Sequence, residues 1–382
     1  MLKRKRTIEM QIVPFSPRKS SRNNILYLSE EIIFDILSRA PAEFVQNYAR
    51  YVCMSWSTIP RNPDFVRAHL LHAKSGLYLQ PGDEPFYAEL FEMKEMDSKI
   101  VDTWWDLPGK ILDSYDGILL FCKKDGPASI LCLANPVTRR GMKLPPIPEP
   151  CHHFDIIAKL ARINDGKFRV IFPDQGQLFW HEWYILTVDS QMSWRKISSP
   201  YLESTDKDPL KSICIEGISY WGNIFGYDDP HFLAIDLNDE TSCLLQLPCE
   251  VIDNRGLVLT WEFAKMGKHL CCIYWWHSAF NPRKIVQRER PGEIKIWKLM
   301  DLHQNVWVMT YNTDLFHASI IRNELSSYMT YWDDQKSLIF EVRRGGNNEA
   351  VVFNTTTGKT TLIGIVNLRI RYGIHTNSLV SL

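Results

Sequence analysis

The chain has 382 residues, 45% of them hydrophobic and 23% charged, and its 44 Lys and Arg side chains balance 44 Asp and Glu. That composition is the one expected of a soluble globular protein, and the absence of net charge excludes a global field that would gather nucleic acid or an anionic membrane. No apolar run approaches the roughly 20 residues that cross a bilayer, and the N-terminus lacks the apolar core of a secretory signal. The chain is therefore expected in the cytoplasm, the nucleus or both, with neither nucleic acid nor membrane as partner.

Residues 1–22 read as a basic, disordered tail. Lys3-Arg4-Lys5-Arg6 and the stretch Ser16 to Arg22 carry positive charge without apolar periodicity. Such a cluster fits a solvated tail and a nuclear-import signal equally.

Residues 23–72 read as a helical module. Ser29 is placed to cap a helix with Glu30 and Glu31 in its first turn, and Ile32, Ile33, Ile36 and Leu37 follow at the spacing of one apolar stripe. Pro41 ends that helix and suits the first position of a second, predicted to run through Phe44, Val45, Tyr48 and Val52 toward Trp56. Pro60 and Pro63 break the chain before a third helical stretch from Phe65 to Leu71.

The segment Leu28 to Pro41, followed by Val52-Cys53-Met54-Ser55-Trp56 and Asn62-Pro63-Asp64-Phe65-Val66, resembles an F-box. In that family the opening is Leu-Pro, the first helix closes with Leu-Ser-Arg-Leu-Pro, and the second half carries Val-Cys-Lys-Ser-Trp. Here Ser29 replaces the proline, Ala40 the leucine and Met54 the basic residue, with one extra residue between Pro41 and Val52. The resemblance implies a three-helix bundle that binds a Skp1-class adaptor, and through it a cullin. The residues it implicates are Leu28, Ile32, Ile33, Ile36, Leu37, Pro41, Val52, Cys53 and Trp56. A bundle of some fifty residues cannot bury enough apolar surface alone, so either a partner or the next domain must cover the stripe.

Residues 73–382 switch to short strands, among them Gly117 to Phe121, Phe232 to Ile235, Ile294 to Trp297 and Ala350 to Phe353. A weak repeat runs through them: an apolar strand, a polar turn, and a second strand often holding Trp or Leu. Copies occur at Phe91 to Trp105, Leu133 to Leu144, Val188 to Trp194, Ile235 to Leu247, Ile296 to Trp307 and Phe353 to Leu362. This blade-like spacing predicts about six outer hairpins of a β-propeller-like domain, and the whole chain is expected to be multidomain, α plus all-β.

This region resembles the F-box-associated domain of plant F-box proteins. The resemblance rests on Asp113 to Leu120, Asn135-Pro136-Val137-Thr138-Arg139 with Leu144-Pro145, Glu216 to Trp221, and Ile294 to Leu299. It implies a kelch-like propeller that recruits a target protein.

Most of the 13 tryptophans suit the packing between blades. In Trp104-Trp105 and Trp275-Trp276 neighbouring rings alternate along a strand, so one ring of each pair is a candidate for exposure. Trp105, Trp275 and Trp276, with Arg283 and Lys284 nearby in sequence, are the candidates for target binding, either as a surface for an acidic partner or as a solvated loop.

Nine cysteines, an odd number without CxxC pairs, are expected as reduced thiols, with Cys53, Cys122, Cys132, Cys271 and Cys272 in apolar runs acting as small hydrophobes. No phosphate loop, His-Glu-x-x-His or Gly-x-Ser-x-Gly occurs, and His152-His153 with Asp155, or Asp228-Asp229 with His231, have no convincing zinc spacing. No cofactor, metal or catalytic residue is expected. The family resemblance implies a non-catalytic substrate receptor of a ubiquitin ligase. The alternatives are a propeller that binds its target outside any ligase and, behind it, a carbohydrate-active propeller with a degenerate helical cap.

Overall fold

The computed structural model describes residues 28–381, apart from 81–86, 95–96, 105–106, 108, 126–127, 149–155, 175–178, 204–210, 223–230, 248–257, 278–292, 315–324, 332–336, 345–346, 355–356, 358–359 and 367–370. Four α-helices come first: α1 (Glu30–Ser38), α2 (Ala42–Asn47), α3 (Met54–Thr58) and α4 (Pro63–His72). No described helix is long and apolar enough to cross a membrane.

The expected second helix is broken in three. Tyr48 leaves the helical region at φ −129°, Ala49–Tyr51 form a 3-10 turn, and the extended Cys53 (φ −161°, ψ 174°) starts α3. The module thus has four α-helices rather than three. The third predicted stretch is α4, with Pro63 in its first turn and the Asn62 side chain accepting from the Asp64 N–H at 2.8 Å.

Among the described residues, twenty-four strands then form six four-stranded antiparallel sheets. The first holds β1 (Ser75–Gln80), β2 (Ala88–Lys94) and β3 (Asp97–Trp104), closed by the last strand, β24 (Arg371–Thr376). The second holds β4 (Lys110–Tyr115), β5 (Ile118–Asp125), β6 (Ala128–Asn135) and β7 (Arg140–Lys143). The third holds β8 (Lys159–Arg162), β9 (Phe168–Pro173), β10 (Phe179–Thr187) and β11 (Arg195–Glu203), and the fourth β12 (Lys211–Ile215), β13 (Ile218–Gly222), β14 (His231–Asp236) and β15 (Ser242–Gln246). The fifth holds β16 (Val258–Met266), β17 (His269–His277), β18 (Glu293–Asp301) and β19 (Val306–Asp314), and the sixth β20 (Leu325–Tyr331), β21 (Ser337–Arg344), β22 (Asn347–Asn354) and β23 (Thr360–Val366).

This is a β-propeller. Strands β24, β4, β8, β12, β16 and β20 pack in that succession along its inside. The six repeats seen in the sequence are the outer hairpins β2–β3, β6–β7, β10–β11, β14–β15, β18–β19 and β22–β23. Because β24 pairs with β1 over Ser75 to Gln80, the two ends of the domain are joined by one hydrogen-bond ladder. Such closure leaves no long sheet edge at the seam.

Strand sequences that look uniformly apolar are explained by burial on both faces. Ile118 and Leu120 pack toward the third sheet with Leu160 and Phe172, whereas Leu119 and Phe121 pack toward the first with Leu90 and Trp104. The same alternation sends Phe232 and Ala234 to the fifth sheet and Leu233 and Ile235 to the third. Trp183 and Trp221 meet between the third and fourth sheets at 4.7 Å, and Phe232 meets Trp261 between the fourth and fifth at 4.9 Å. Leu77 and Phe91 pack on Ile339 and Val352, which joins the sixth sheet to the first. Cys132, Cys271 and Cys272 are buried in this core, but Cys53 is exposed and does not act as a packing residue.

Two hairpins reveal why the Asp-Gly and Glu-Gly pairs matter. Asp116 and Gly117 (φ 49° and 85°), like Glu216 and Gly217 (φ 49° and 79°), take positive φ at both central positions. That is the turn geometry matching the twist of strands whose last paired residues are Tyr115 with Ile118 and Ile215 with Ile218.

The helices are seated on the propeller through the segment that follows β24. Leu379 and Val137 join Leu37, Ala42, Val45, Ala49 and Phe65 in one buried cluster. Asn135 donates its amide to the carbonyls of Ser378 and Val380 at 3.1 and 2.8 Å, and Asn377 donates to the Glu43 carboxylate.

Candidate functional site

The helix α1 starts as its sequence dictates. The Ser29 hydroxyl accepts from the Ile32 N–H at 3.5 Å, and Glu30 and Glu31 fill the first turn. Backbone N–H donation, then the Ser29 hydroxyl, hold the Glu31 carboxyl below the usual carboxylate range.

Two apolar faces result from one stripe. Leu37 is buried, and Ile33 and Phe34 pack half-buried on the same cluster, with Phe34 edge-on to Phe65 at 5.2 Å. Leu28, Ile32 and Ile36, four residues apart, instead keep 51%, 49% and 49% of their surface. Ile32 and Ile36, four residues apart, line up along one side of α1, and Leu28 lies just before the extended Ser29 that caps it. Among the described residues, this ridge is apolar surface left about half uncovered.

The second half of the module adds to it. Phe44 and Tyr48 stack at 6.0 Å and remain exposed, as do Tyr51, Val52 and Met54. The Ser55 hydroxyl donates to Glu30 at 3.3 Å, which holds the start of α3 against the start of α1. Cys53 and Pro41 are exposed, Pro41 as the residue preceding α2, whereas Trp56 is half-buried against the module's core.

Of the nine residues singled out in the sequence, Leu28, Ile32, Ile36, Pro41, Val52 and Cys53 thus retain surface. Leu37 is a core residue with nothing to offer a partner, and Ile33 and Trp56 mainly support that core. Exposed apolar residues that the sequence reading passed over are Phe44, Tyr48, Tyr51 and Met54. The helix break that sets Tyr51 and Met54 off from α2 has no marker in the sequence, and Phe44 and Tyr48 lie on or at the end of α2, on the face away from Val45.

The target-binding candidates fare differently. Trp105, Arg283 and Lys284 lie outside the described residues. Trp275 and Trp276 lie on β17, the first opposite Thr260 and Ile294 and the second opposite Leu259. His152, His153, Asp155, Asp228 and Asp229 also lie outside the described residues, and among the described ones no three His, Cys, Asp or Glu gather as metal ligands.

A polar cavity of about 370 Å³ opens among the inner strands, with Asp113, Asp116, Lys159, Glu262 and Lys265 in its lining. Lys159 lies 3.4 Å from Asp113, and Lys211 lies 2.7 Å from Glu262. Burial raises the Glu262 carboxyl despite Lys211, and raises Asp116 despite Arg162. These charges were legible as single polar residues inside the first strand of successive blades, as in Leu112-Asp113 and Trp261-Glu262-Phe263. Asp113, Asp116 and Glu262 thus each face a cation, Lys159, Arg162 and Lys211.

A family model described as "F-box associated beta propeller domain" matches residues 86–361, well over half of the chain. No curated protein matches. Among solved structures, TolB from Acinetobacter baumannii aligns with TM-score 0.46 and 9% identity over 82% of this chain and 70% of that one. A chain of a nidogen/laminin complex aligns with TM-score 0.41 and 12% identity over 80% and 98%. An oligogalacturonate lyase in complex with manganese aligns with TM-score 0.39 and 11% identity over 73% of each chain.

Proposed function

The chain belongs to the F-box associated beta propeller family, and from that membership we propose that it is the substrate receptor of a Skp1–cullin–F-box ubiquitin ligase. In this reading residues 28–72 are an F-box that docks on a Skp1-class adaptor, while the propeller holds a target protein. Ubiquitin transfer is performed by another subunit. The receptor itself is non-catalytic and contributes by raising the effective concentration of target at the transferring enzyme.

The observation that carries the proposal is the uncovered ridge of Leu28, Ile32 and Ile36, on a module firmly seated on the propeller. Burying the exposed half of each side chain against a partner helix would contribute about 1 kcal/mol apiece, half the worth of complete burial. Three such residues alone do not make a tight complex, since association has its own entropic cost. Phe44, Tyr48, Val52 and Met54 supply further apolar surface on the same module. The departures from the family pattern at Ser29 and Ala40 do not remove the ridge: Ser29 caps α1, and Ala40 lies half-buried beyond its end.

Co-purification of the full-length chain with a Skp1-class adaptor tests the proposal. Association that is lost when Ile32 and Ile36 become Asp supports it. Failure of the unaltered chain to associate, with target binding retained, would favour a propeller acting outside any ligase.

A further inference from the structure

The inner cavity of about 370 Å³ falls within the roughly 300–1,000 Å³ typical of small-molecule sites. Its walls come chiefly from β4, β12, β16 and β24, each the end strand of its own sheet. The backbone groups of these strands on the cavity side therefore have no strand partner, and their N–H groups remain available as donors.

Three carboxylates and four cations stand in or beside this space. Asp113 has Lys159 at 3.4 Å, Asp116 has Arg162 at 3.5 Å, and Glu262 has Lys211 at 2.7 Å. Lys265 is left over. From the fifth sheet it reaches toward the Tyr115 ring of the second, on the opposite side of the ring of six, where its Nζ lies 6.0 Å from the ring centroid. That separation is the outer limit of a cation–π contact. Among the described residues Lys265 has neither an ion pair nor a hydrogen bond. Glu216, whose charge also reaches Asp116, is exposed and outside the cavity lining.

An ammonium facing a cavity of low dielectric attracts an anion more strongly than the same group in bulk water. A surplus of one positive charge matches one carboxylate. A doubly charged phosphate monoester would instead leave one negative charge uncompensated beside Asp113, Asp116 and Glu262. The remainder of the lining includes Leu112, Ile213 and Ile374, which are apolar and only part-buried. An apolar body laid against them removes that surface from water.

We propose that the inner cavity binds a small monocarboxylate with an apolar body, its carboxylate on the Lys265 ammonium and its body against Leu112, Ile213 and Ile374. Such a ligand ties the second, fourth and fifth sheets to the closing strand β24. The site is independent of the ligase reading, because binding is measured on this chain alone.

The test is calorimetric titration of the full-length protein with phenylacetate, beside its neutral counterpart phenylacetamide, the small anion acetate and the dianion phenyl phosphate. Saturable binding of phenylacetate is expected, with each of the other three at least about tenfold weaker, the worth of one charge-assisted contact or of the buried apolar body. Lys265→Met keeps a long side chain and removes its charge. It should bring phenylacetate down about tenfold, to the level of phenylacetamide, whose own binding should not change. Lys265→Gln gives the same comparison if the first variant does not fold. The proposal is overturned if phenylacetate does not bind saturably, if any of the three comparison compounds binds as tightly, or if removing the Lys265 charge leaves phenylacetate unchanged or weakens phenylacetamide equally.

Discussion

Ile36 and Leu37 are consecutive on α1 and lie in opposite environments: Ile36 keeps 49% of its surface, whereas Leu37 at 1% packs in the cluster that holds Val137 and Leu379 of the propeller. One peptide unit turns a helix by about 100°, enough to divide a contact residue from a core residue. The same division explains why the stripe of isoleucines and leucine in α1 has two functions rather than one.

That division is measurable. Ile36→Asp should leave stability within about 0.5 kcal/mol, as at other exposed positions, and abolish adaptor association. Leu37→Ala should instead cost about 3 kcal/mol of stability in the module through the cavity it leaves. Urea unfolding monitored beside adaptor pull-down separates the two, and equal effects of both substitutions would contradict the assignment of faces.

Gly117 is held at φ 85°, and a Cβ there would meet the Ser378 hydroxyl oxygen at 2.0 Å. Ser378 in turn donates to the Asp116 carbonyl at 2.6 Å, so this turn anchors the segment after the closing strand. Gly117→Ala should cost about 2 kcal/mol, from the left-handed backbone and the displaced serine together. Faster hydrogen exchange over residues 371–380 is the expected readout. Unchanged protection there would mean that the turn does not anchor the segment.

The imidazole of His375 lies buried beside Trp104, ring centroids 4.8 Å apart, with Nδ1 2.9 Å from the Ser114 hydroxyl. Burial lowers its pKa from 6.5 to about 3. Between those values the unfolded chain binds the proton and the folded chain does not, so stability is full above about pH 6.5 and falls as pH drops toward 3. The slope for one such group reaches about 1.4 kcal/mol per pH unit. His69 acts in the same direction. Chemical denaturation across this range should show a shallower fall in His375→Gln, and an identical slope would remove His375 as the cause.

Lys211 and Glu262 form a mostly buried pair at 2.7 Å, in which Lys211 also donates to the Trp261 carbonyl. Lys211→Met leaves the carboxylate without its cation and should cost about 3 kcal/mol. Adding Glu262→Gln should restore part of that loss, because the uncompensated charge, not the missing contact, is the main penalty. A double variant no more stable than Lys211→Met would refute this account, with guanidinium unfolding as the measurement.

Several elements were legible in the residues alone because their causes are local. Ser29 with two glutamates starts α1, Pro63 after Asn62 starts α4, and the Asp116-Gly117 and Glu216-Gly217 pairs make two-residue turns. The six outer hairpins followed from a repeat in which each strand and turn carries its own signature. The break of the second helix at Tyr48 and Cys53 was not legible, since neither proline nor glycine marks it.

Local pattern was enough to place α1, α4, the outer hairpins and the two-residue turns, since hydrophobic period and backbone preference act over a few neighbouring residues. Long-range packing makes Leu37 core while Ile32 and Ile36 stay at the surface, and it sets Asn377 against Glu43. Those outcomes depend on partners far along the chain: Leu379 beneath Leu37, and Asn377 beside Glu43. Burial is a property of what packs against a residue, and when ring closure brings the last strand to the first, it brings that packing from the opposite end of the chain.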